Sequence, residues 1–190
     1  MKEIYDSSVR TDTYKLQVND ILRELALKQR RKGKAVILDS DKLVTRNILL
    51  SAGYKICNIN IPNPFSYKSI RKIHARTYEL LLGDYLDKVK RKPFTFAFFD
   101  YCGGLNGNNI VKPKEDIAKY FKNHNATDES IFAITVSIRQ SSDKGVCSSI
   151  TNLHSTVTIS AFNAGYTAVL LPIGYCYHGM FFAIYKIYEK

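Results

Sequence analysis

The stretch that decides the fold is Phe94-Thr95-Phe96-Ala97-Phe98-Phe99-Asp100-Tyr101-Cys102-Gly103-Gly104. Its first half, Phe94 to Phe99, is a short apolar run rich in aromatic residues, which is typical of a strand buried in a sheet. An acid and a glycine-containing segment follow directly, so we expect the strand to end at Asp100. The sequence therefore predicts a buried strand whose carboxyl end carries polar side chains.

Shorter apolar runs earlier in the chain also end at polar residues. Ala35 to Leu38 stops at Asp39, and its unbroken apolar character is typical of a strand buried on both faces in a parallel sheet. We also predict strands at 56–61, which Pro62-Asn63-Pro64 interrupts, and at 77–82. The leucines of 77–82 could equally belong to a helix.

Helical periodicity separates the predicted strands. Thr13 to Arg31 carries apolar residues at i, i+3, i+4 and i+7 spacing, and Lys42 to Ala52 has the same pattern before Gly53. The remaining predicted helices span 66–75, 113–122 and 148–164, and the remaining predicted strands span 131–138, 167–171 and 180–188. This order predicts an α/β sheet of about seven mostly parallel strands with an antiparallel carboxyl-terminal strand.

Length and charge limit the organisation of the chain and its partners. The 190 residues, 45% of them hydrophobic, are enough for one folded domain with its own core. We therefore predict a single domain over 1–190, with 1–34 as a basic helical extension at the amino terminus. The formal net charge of +11 points to a polyanionic partner, nucleic acid first and an anionic membrane surface second.

Three classes of protein are disfavoured by the sequence. The longest apolar runs are far shorter than the roughly 20 residues of a membrane-spanning helix, and the amino terminus lacks the apolar stretch of a secretory signal. We therefore expect an intracellular protein, cytoplasmic or nuclear, with no membrane partner. The four cysteines and four histidines are scattered without a CxxC pair, so we expect neither a disulfide framework nor a metal site.

The order of elements and the acids at the strand ends resemble a class I S-adenosylmethionine-dependent methyltransferase, over about Ala35 to Lys190. The phrase Phe98-Phe99-Asp100-Tyr101-Cys102-Gly103-Gly104 is similar to the motif that faces the methyl acceptor in that family. The closing stretch 179–185 is similar to the last antiparallel strand of the same fold. The resemblance implies a Rossmann-like three-layer sandwich with S-adenosylmethionine as its cofactor.

The resemblance also implies which residues line the site. By position, Asp39 would lie near the methionine part of the cofactor, Asn63 would meet the ribose, and Asp84 would meet the adenine amine. Asp100 would lie by both cofactor and acceptor, where its carboxylate accepts a hydrogen bond from the target amine. Tyr101 would stack on an extruded base. An alternative role for Asp39 and Asp84 is only to cap the helices that follow the strands.

Two loops differ from the family pattern. Ser40-Asp41-Lys42-Leu43 stands where the family usually has a glycine-rich turn, and the loop after the fourth strand lacks the prolines of a DPPY motif. Cys102 in that loop offers a different chemistry, because a thiolate could add to a pyrimidine ring.

Clusters of basic residues complete the prediction of function. Such side chains neutralise phosphates with little sequence preference, although any one cluster could simply be solvated surface. The predicted nucleic-acid contacts are Arg30, Arg31, Lys32, Lys34, Arg71 and Lys72. We predict a methyltransferase acting on RNA or DNA; the alternatives are a non-catalytic nucleic-acid-binding protein of the same fold and a methyltransferase for protein or small molecules.

Overall fold

A computed structural model describes residues 13–139, 143–177 and 179–190. The first twelve residues of the predicted extension at 1–34 lie outside this part of the chain. The described strands are β1 (Ala35–Ile37), β2 (Ile59–Pro62), β3 (Thr77–Tyr78), β4 (Phe96–Gly104), β5 (Ser130–Ser137), β6 (Tyr166–Leu170), β7 (Tyr175–Tyr177) and β8 (Met180–Glu189). The described helices are α1 (Thr13–Lys28), α2 (Val44–Ser51), α3 (Tyr67–Arg71), α4 (Leu82–Lys88), α5 (Pro113–Lys122) and α6 (Asp143–Asn163).

All eight described strands belong to one sheet with the order β3-β2-β1-β4-β5-β8-β6, and β7 pairs with β8. Strands β1 to β5 are parallel, whereas β8 runs antiparallel between β5 and β6. The predicted α/β fold with an antiparallel last strand is confirmed. Strand order reverses between β1 and β4, and ligands of open α/β sheets bind at the carboxyl ends of the strands beside such a reversal.

The sheet has a hydrophobic core on each face, which makes the fold a three-layer sandwich. On one face, α1, α2 and α3 pack against side chains such as Phe96 and Phe98 of β4. On the other face, α4, α5 and α6 pack against Phe99 of β4 and Phe132 of β5. Successive residues of a strand point to opposite faces, so β4 contributes alternately to the two cores.

Three predicted strands have different bounds in the structure. The first half of 56–61 is a 3₁₀ helix at Ile56–Asn58, and β3 contains two residues instead of the six predicted at 77–82. Leu82 begins α4, in which Leu82, Tyr85 and Leu86 are buried at helical spacing. The predicted strand 94–99 is longer than expected, because β4 continues through Asp100 to Gly104.

Helix α1 ends at Lys28, three residues before the predicted end at Arg31. Its last carbonyl groups lack partners within the helix. The Lys32 ammonium donates hydrogen bonds to the carbonyl oxygens of Leu27 and Gln29, at 3.2 and 2.9 Å. Lys32 thus satisfies the carboxyl end of the helix, which is a structural role for one of the predicted nucleic-acid contacts.

Candidate functional site

Asp39, two residues after the end of β1, is fully buried and accepts hydrogen bonds from its own loop and from the first turn of α2. One carboxylate oxygen accepts a hydrogen bond from the Ser40 backbone N–H at 3.1 Å, and the other accepts one from the Arg46 backbone N–H at 2.8 Å. Arg46 lies in the first turn of α2, where backbone N–H groups have no partner within the helix. The capping alternative for Asp39 therefore describes its observed contacts, and its role near a cofactor stays a prediction.

Asn63 joins the carboxyl ends of β1 and β2. Its side-chain N–H donates to the backbone carbonyl oxygen of Asp39 at 2.8 Å. Its side-chain oxygen accepts from the backbone N–H groups of Phe65 and Ser66, both at 2.9 Å. Asn63 is 1% exposed, so it fixes the turn that leads to α3, and its predicted contact with a ribose stays a prediction.

Asp84 does not follow a strand, because β3 ends six residues earlier. It lies in the first turn of α4 and is exposed. Its side chain lines a groove of about 480 Å³ between α4, α5 and the loop after β4, together with Ile110, Asp116 and Lys119. Asp84 lies in a helix because Leu82 and Leu86 are buried at helical spacing. The prediction of a strand at 77–82 did not take this spacing into account.

Asp100 forms a buried ion pair with Lys15 of α1. The Lys15 ammonium lies 2.6 Å from the carboxylate, and the two side chains are 11% and 4% exposed. Burial alone would lower the pKa of Lys15, but the Asp100 carboxylate, with a smaller contribution from Tyr177, raises this pKa above its ordinary value of 10.5. Lys15 therefore remains charged at neutral pH and neutralises the carboxylate.

Lys15 was not predicted as a site residue, although its position in the sequence indicates burial. Lys15 precedes the buried residues Val18, Leu22 and Ala26 at helical spacing, so it occupies the apolar stripe of α1. A lysine on such a stripe needs a buried anion, since burying an unpaired charge is costly. The predicted strand-end acids were the available partners.

Tyr101, the predicted stacking residue, is buried in the core on the α5 side of the sheet. Asp100 points toward α1, so its neighbour Tyr101 points to the opposite face of the sheet. Tyr101 is 1% exposed, and its hydroxyl donates a 2.7 Å hydrogen bond to the carboxylate of Asp116 on α5. Its predicted stacking on an extruded base stays a prediction. Cys102 is exposed, and its alternative role as a nucleophile stays a prediction.

Three polar atoms near the carboxyl ends of β1 and β5 are buried without a hydrogen-bond partner among the described residues. They are Oδ1 of Asp41, Nε of Arg46 and Oγ1 of Thr135. Asp41 belongs to the loop after β1, Arg46 to the first turn of α2, and Thr135 is the register partner of Asp100 in β5. Four further atoms of this kind lie elsewhere among the described residues: Nδ1 of His74, Oη of Tyr120, Oδ1 of Asn125 and Oη of Tyr185. Unsatisfied buried groups are rare in folded proteins, so the three at the carboxyl edge are candidate contacts for a polar ligand or water.

The predicted nucleic-acid contacts do not lie at this edge of the sheet. Arg30, Arg31 and Lys34 are exposed in the segment before β1, at the amino-terminal edge. Arg71 and Lys72 are exposed at the end of α3, which leads back toward that edge. The structure therefore separates the predicted basic contacts from the strand-end acids.

The described part of the chain lacks two further features. No group of three or more His, Cys, Asp or Glu side chains there could hold a metal ion. None of its helices is both long enough and apolar enough to cross a lipid bilayer.

Solved structures with this fold are similar along most of the chain. One is yhhF of Escherichia coli, described as a candidate methyltransferase, with a TM-score of 0.64 and 13% identity over 97% of this chain and 92% of that one. Another is the N-methyltransferase NodS of Bradyrhizobium japonicum with bound S-adenosylhomocysteine, with a TM-score of 0.62 and 9% identity over 94% and 89%. A third is the fibrillarin pre-rRNA processing protein of Methanococcus jannaschii, with a TM-score of 0.57 and 10% identity over 87% and 70%.

These similarities show that the chain has the Rossmann-like fold of class I S-adenosylmethionine-dependent methyltransferases. No protein-family model matches the sequence, and no curated protein matches it. At these identities the similarity establishes the fold, and the chemistry has to be argued from the site.

The buried ion pair predicts strong coupling between Lys15 and Asp100. We expect Lys15→Met and Asp100→Asn each to lower the free energy of unfolding by about 3–5 kcal/mol, because each leaves one buried charge without a partner. The double variant removes both charges and should recover most of the loss. Urea unfolding of the four proteins gives the coupling energy, with Lys28→Met as the control for an exposed pair. Additive losses would contradict this account.

Asp116 predicts a pH dependence of stability. Burial raises its pKa from 3.8 to about 6, although the Tyr101 hydroxyl partly opposes the shift. The folded protein therefore binds this proton more tightly than the unfolded chain, and stability falls as pH rises from about 4 to 6. The difference of about two pKa units corresponds to at most about 3 kcal/mol at neutral pH.

Asp116→Asn keeps an acceptor for Tyr101 and removes the buried charge. We expect this variant to be up to about 3 kcal/mol more stable than wild type above pH 7, and to lose the dependence between pH 4 and 6. Urea unfolding at pH 4.5 and 7.5 measures both effects, with the exposed Asp20→Asn as the matched control. A variant less stable than wild type at pH 7.5 would refute the assignment.

Proposed function

We propose that the chain is an S-adenosylmethionine-dependent methyltransferase that acts on nucleic acid. The observation that supports the proposal is that two features meet at the carboxyl edge of the sheet. The class I methyltransferase fold locates the cofactor at the carboxyl ends of the first strands, and the unpartnered buried atoms of Asp41 and Arg46 lie at that edge. The complex of the similar NodS with S-adenosylhomocysteine supports the same cofactor.

The unpartnered atoms match the amino-acid end of this cofactor in chemistry. An amino-acid head group offers an ammonium, which donates hydrogen bonds, and a carboxylate, which accepts them. Asp41 Oδ1 is an acceptor that suits the ammonium, and Arg46 Nε is a donor that suits the carboxylate. Asp39 and Asn63 hold the two loops in place, and Asp84 is exposed as an acceptor for the adenine amine.

Asp100 is the proposed contact for the methyl acceptor. When bound, S-adenosylmethionine supplies a methyl group already activated on a sulfonium, so the protein chiefly has to align the acceptor. The Asp100 carboxylate can accept a hydrogen bond from a target amine. In the structure the Lys15 ammonium donates to it at 2.6 Å, in the way that a target amine would. An acceptor amine must therefore displace the Lys15 ammonium, so the first turn of α1, which carries Lys15, has to move.

Nucleic acid is the proposed substrate class for two reasons. The net charge of +11 favours a polyanion, and one similar structure is a pre-rRNA processing protein. A second candidate function is non-catalytic binding of nucleic acid. The observation that favours it is the buried Lys15–Asp100 pair, which leaves the carboxylate neutralised.

Methyl transfer tests the proposal most sharply when the charge at this site is held constant. In a Lys15→Met background, Asp100→Asn keeps a hydrogen-bond acceptor and Asp100→Ala removes it, while neither buries an unpaired charge. We expect transfer of tritiated methyl groups to RNA or DNA by wild type and by the Asn variant, and a loss of about 100-fold in the Ala variant. Circular dichroism confirms that all variants are folded.

Three other results of the methyl-transfer experiment would change the proposal. Equal rates in the Asn and Ala variants would remove Asp100 from the reaction. Transfer only to protein or small molecules would replace the substrate class. Transfer to no acceptor, with nucleic-acid binding intact, would establish the binding function instead.

A further inference from the structure

The amino-terminal edge of β1 to β4 is uniformly basic. The segments that precede these four strands are 28–34, 53–58, 72–76 and 88–95. Together they contain twelve Lys and Arg residues and no Asp or Glu. All twelve are exposed except Lys32, which is half-buried. Because the four strands are parallel neighbours, their preceding segments lie along the same edge of the sheet.

The charges of this edge are largely uncompensated. Among the twelve cations, the only ion pair described joins Lys28 to Glu24 at 3.9 Å on the exposed surface of α1. Lys32 donates to backbone carbonyl oxygens, which carry no formal charge. Negative charge adjoins one end of the edge, before β5, where the exposed Asp128 and Glu129 line a cavity of about 290 Å³ together with Arg30 and Arg31. A one-signed surface of this kind attracts polyanions.

The shape of the edge fits a nucleic-acid backbone. Neighbouring strands are about 4.8 Å apart, so the order β3-β2-β1-β4 distributes the four segments over about 15 Å. The two aromatic residues of these segments, Tyr54 and Phe94, are buried, and the large apolar side chains that are exposed there are the non-aromatic Ile56 and Ile73. Binding to a lipid surface usually uses exposed aromatic residues as interfacial anchors, so the edge favours nucleic acid over a membrane.

This edge lies opposite the Lys15–Asp100 pair. Lys15 is at the carboxyl edge and Lys28 at the amino edge, thirteen residues apart on α1, which corresponds to about 20 Å along the helix. We propose that the basic amino-terminal edge is a separate anchoring site for the phosphate backbone of nucleic acid. Its use during methylation rests on the proposed function, whereas binding itself does not.

Direct binding tests the anchoring site without methyl transfer. The variant Arg30→Glu/Arg31→Glu/Lys90→Glu reverses three exposed charges of the edge. The matched control Lys68→Glu/Lys114→Glu/Lys122→Glu reverses three exposed charges in α3 and in the first and last turns of α5. Fluorescence anisotropy with a labelled 20-base-pair DNA duplex and a labelled 20-nucleotide RNA, between 50 and 300 mM KCl, gives Kd and its salt dependence.

We expect the edge variant to raise Kd at least about tenfold, and to reduce the slope of log K against log salt for the duplex by about 3, because at least three phosphate contacts are lost. The control should change Kd less than about twofold. Equal losses in both variants, an unchanged salt slope, or binding of wild type to phosphatidylserine vesicles but to neither nucleic acid would overturn the proposal. Anchoring without methyl transfer by wild type would leave this proposal standing and remove the enzymatic one.

Discussion

Side-chain alternation along β4 is the constraint on which the rest of the structure depends. The strand stays buried beyond Phe99, so Asp100 and Tyr101 enter opposite cores and each needs a polar partner there. Lys15 provides it on the α1 face, and Asp116 provides it on the α5 face. Because Lys15 must reach Asp100, the first turn of α1 is held across the carboxyl edge of the sheet, and the proposed acceptor position is closed by the protein itself.

The two edges of the sheet differ in charge and in the partners of their polar side chains. At the carboxyl edge, the carboxylate of Asp39 caps α2 and that of Asp100 pairs with Lys15. Both acids that were predicted to line the site therefore have partners within the protein. The atoms at this edge without a hydrogen-bond partner among the described residues are Oδ1 of Asp41, Nε of Arg46 and Oγ1 of Thr135. At the amino edge, the exposed cations other than Lys28 have no ion-pair partner among the described residues. The proposed methyl donor and the proposed polyanion would therefore contact opposite edges of the sheet.

Most of the fold follows from periodicity, and most of the site does not. The buried runs at Ala35 and Phe94 and the helical stripe of α1 predict strands, helices and their order, because burial imposes period 2 or 3.6 on the sequence. The bounds of β3 could not be predicted, since Leu82 fits a strand or a helix until its packing against α5 is known. The Lys15–Asp100 contact joins residues 85 positions apart, so only the tertiary fold brings them together.

Isothermal titration calorimetry with S-adenosylmethionine tests the central claim, that the unpartnered groups at the carboxyl edge bind this cofactor. We expect saturable binding of one molecule per chain, and at least about tenfold weaker binding in Asp41→Asn, because the isosteric amide loses the charge that pairs with the ammonium. The matched control Asp20→Asn should bind as wild type does. The absence of heat at millimolar ligand, or equal affinity in Asp41→Asn, would contradict the account.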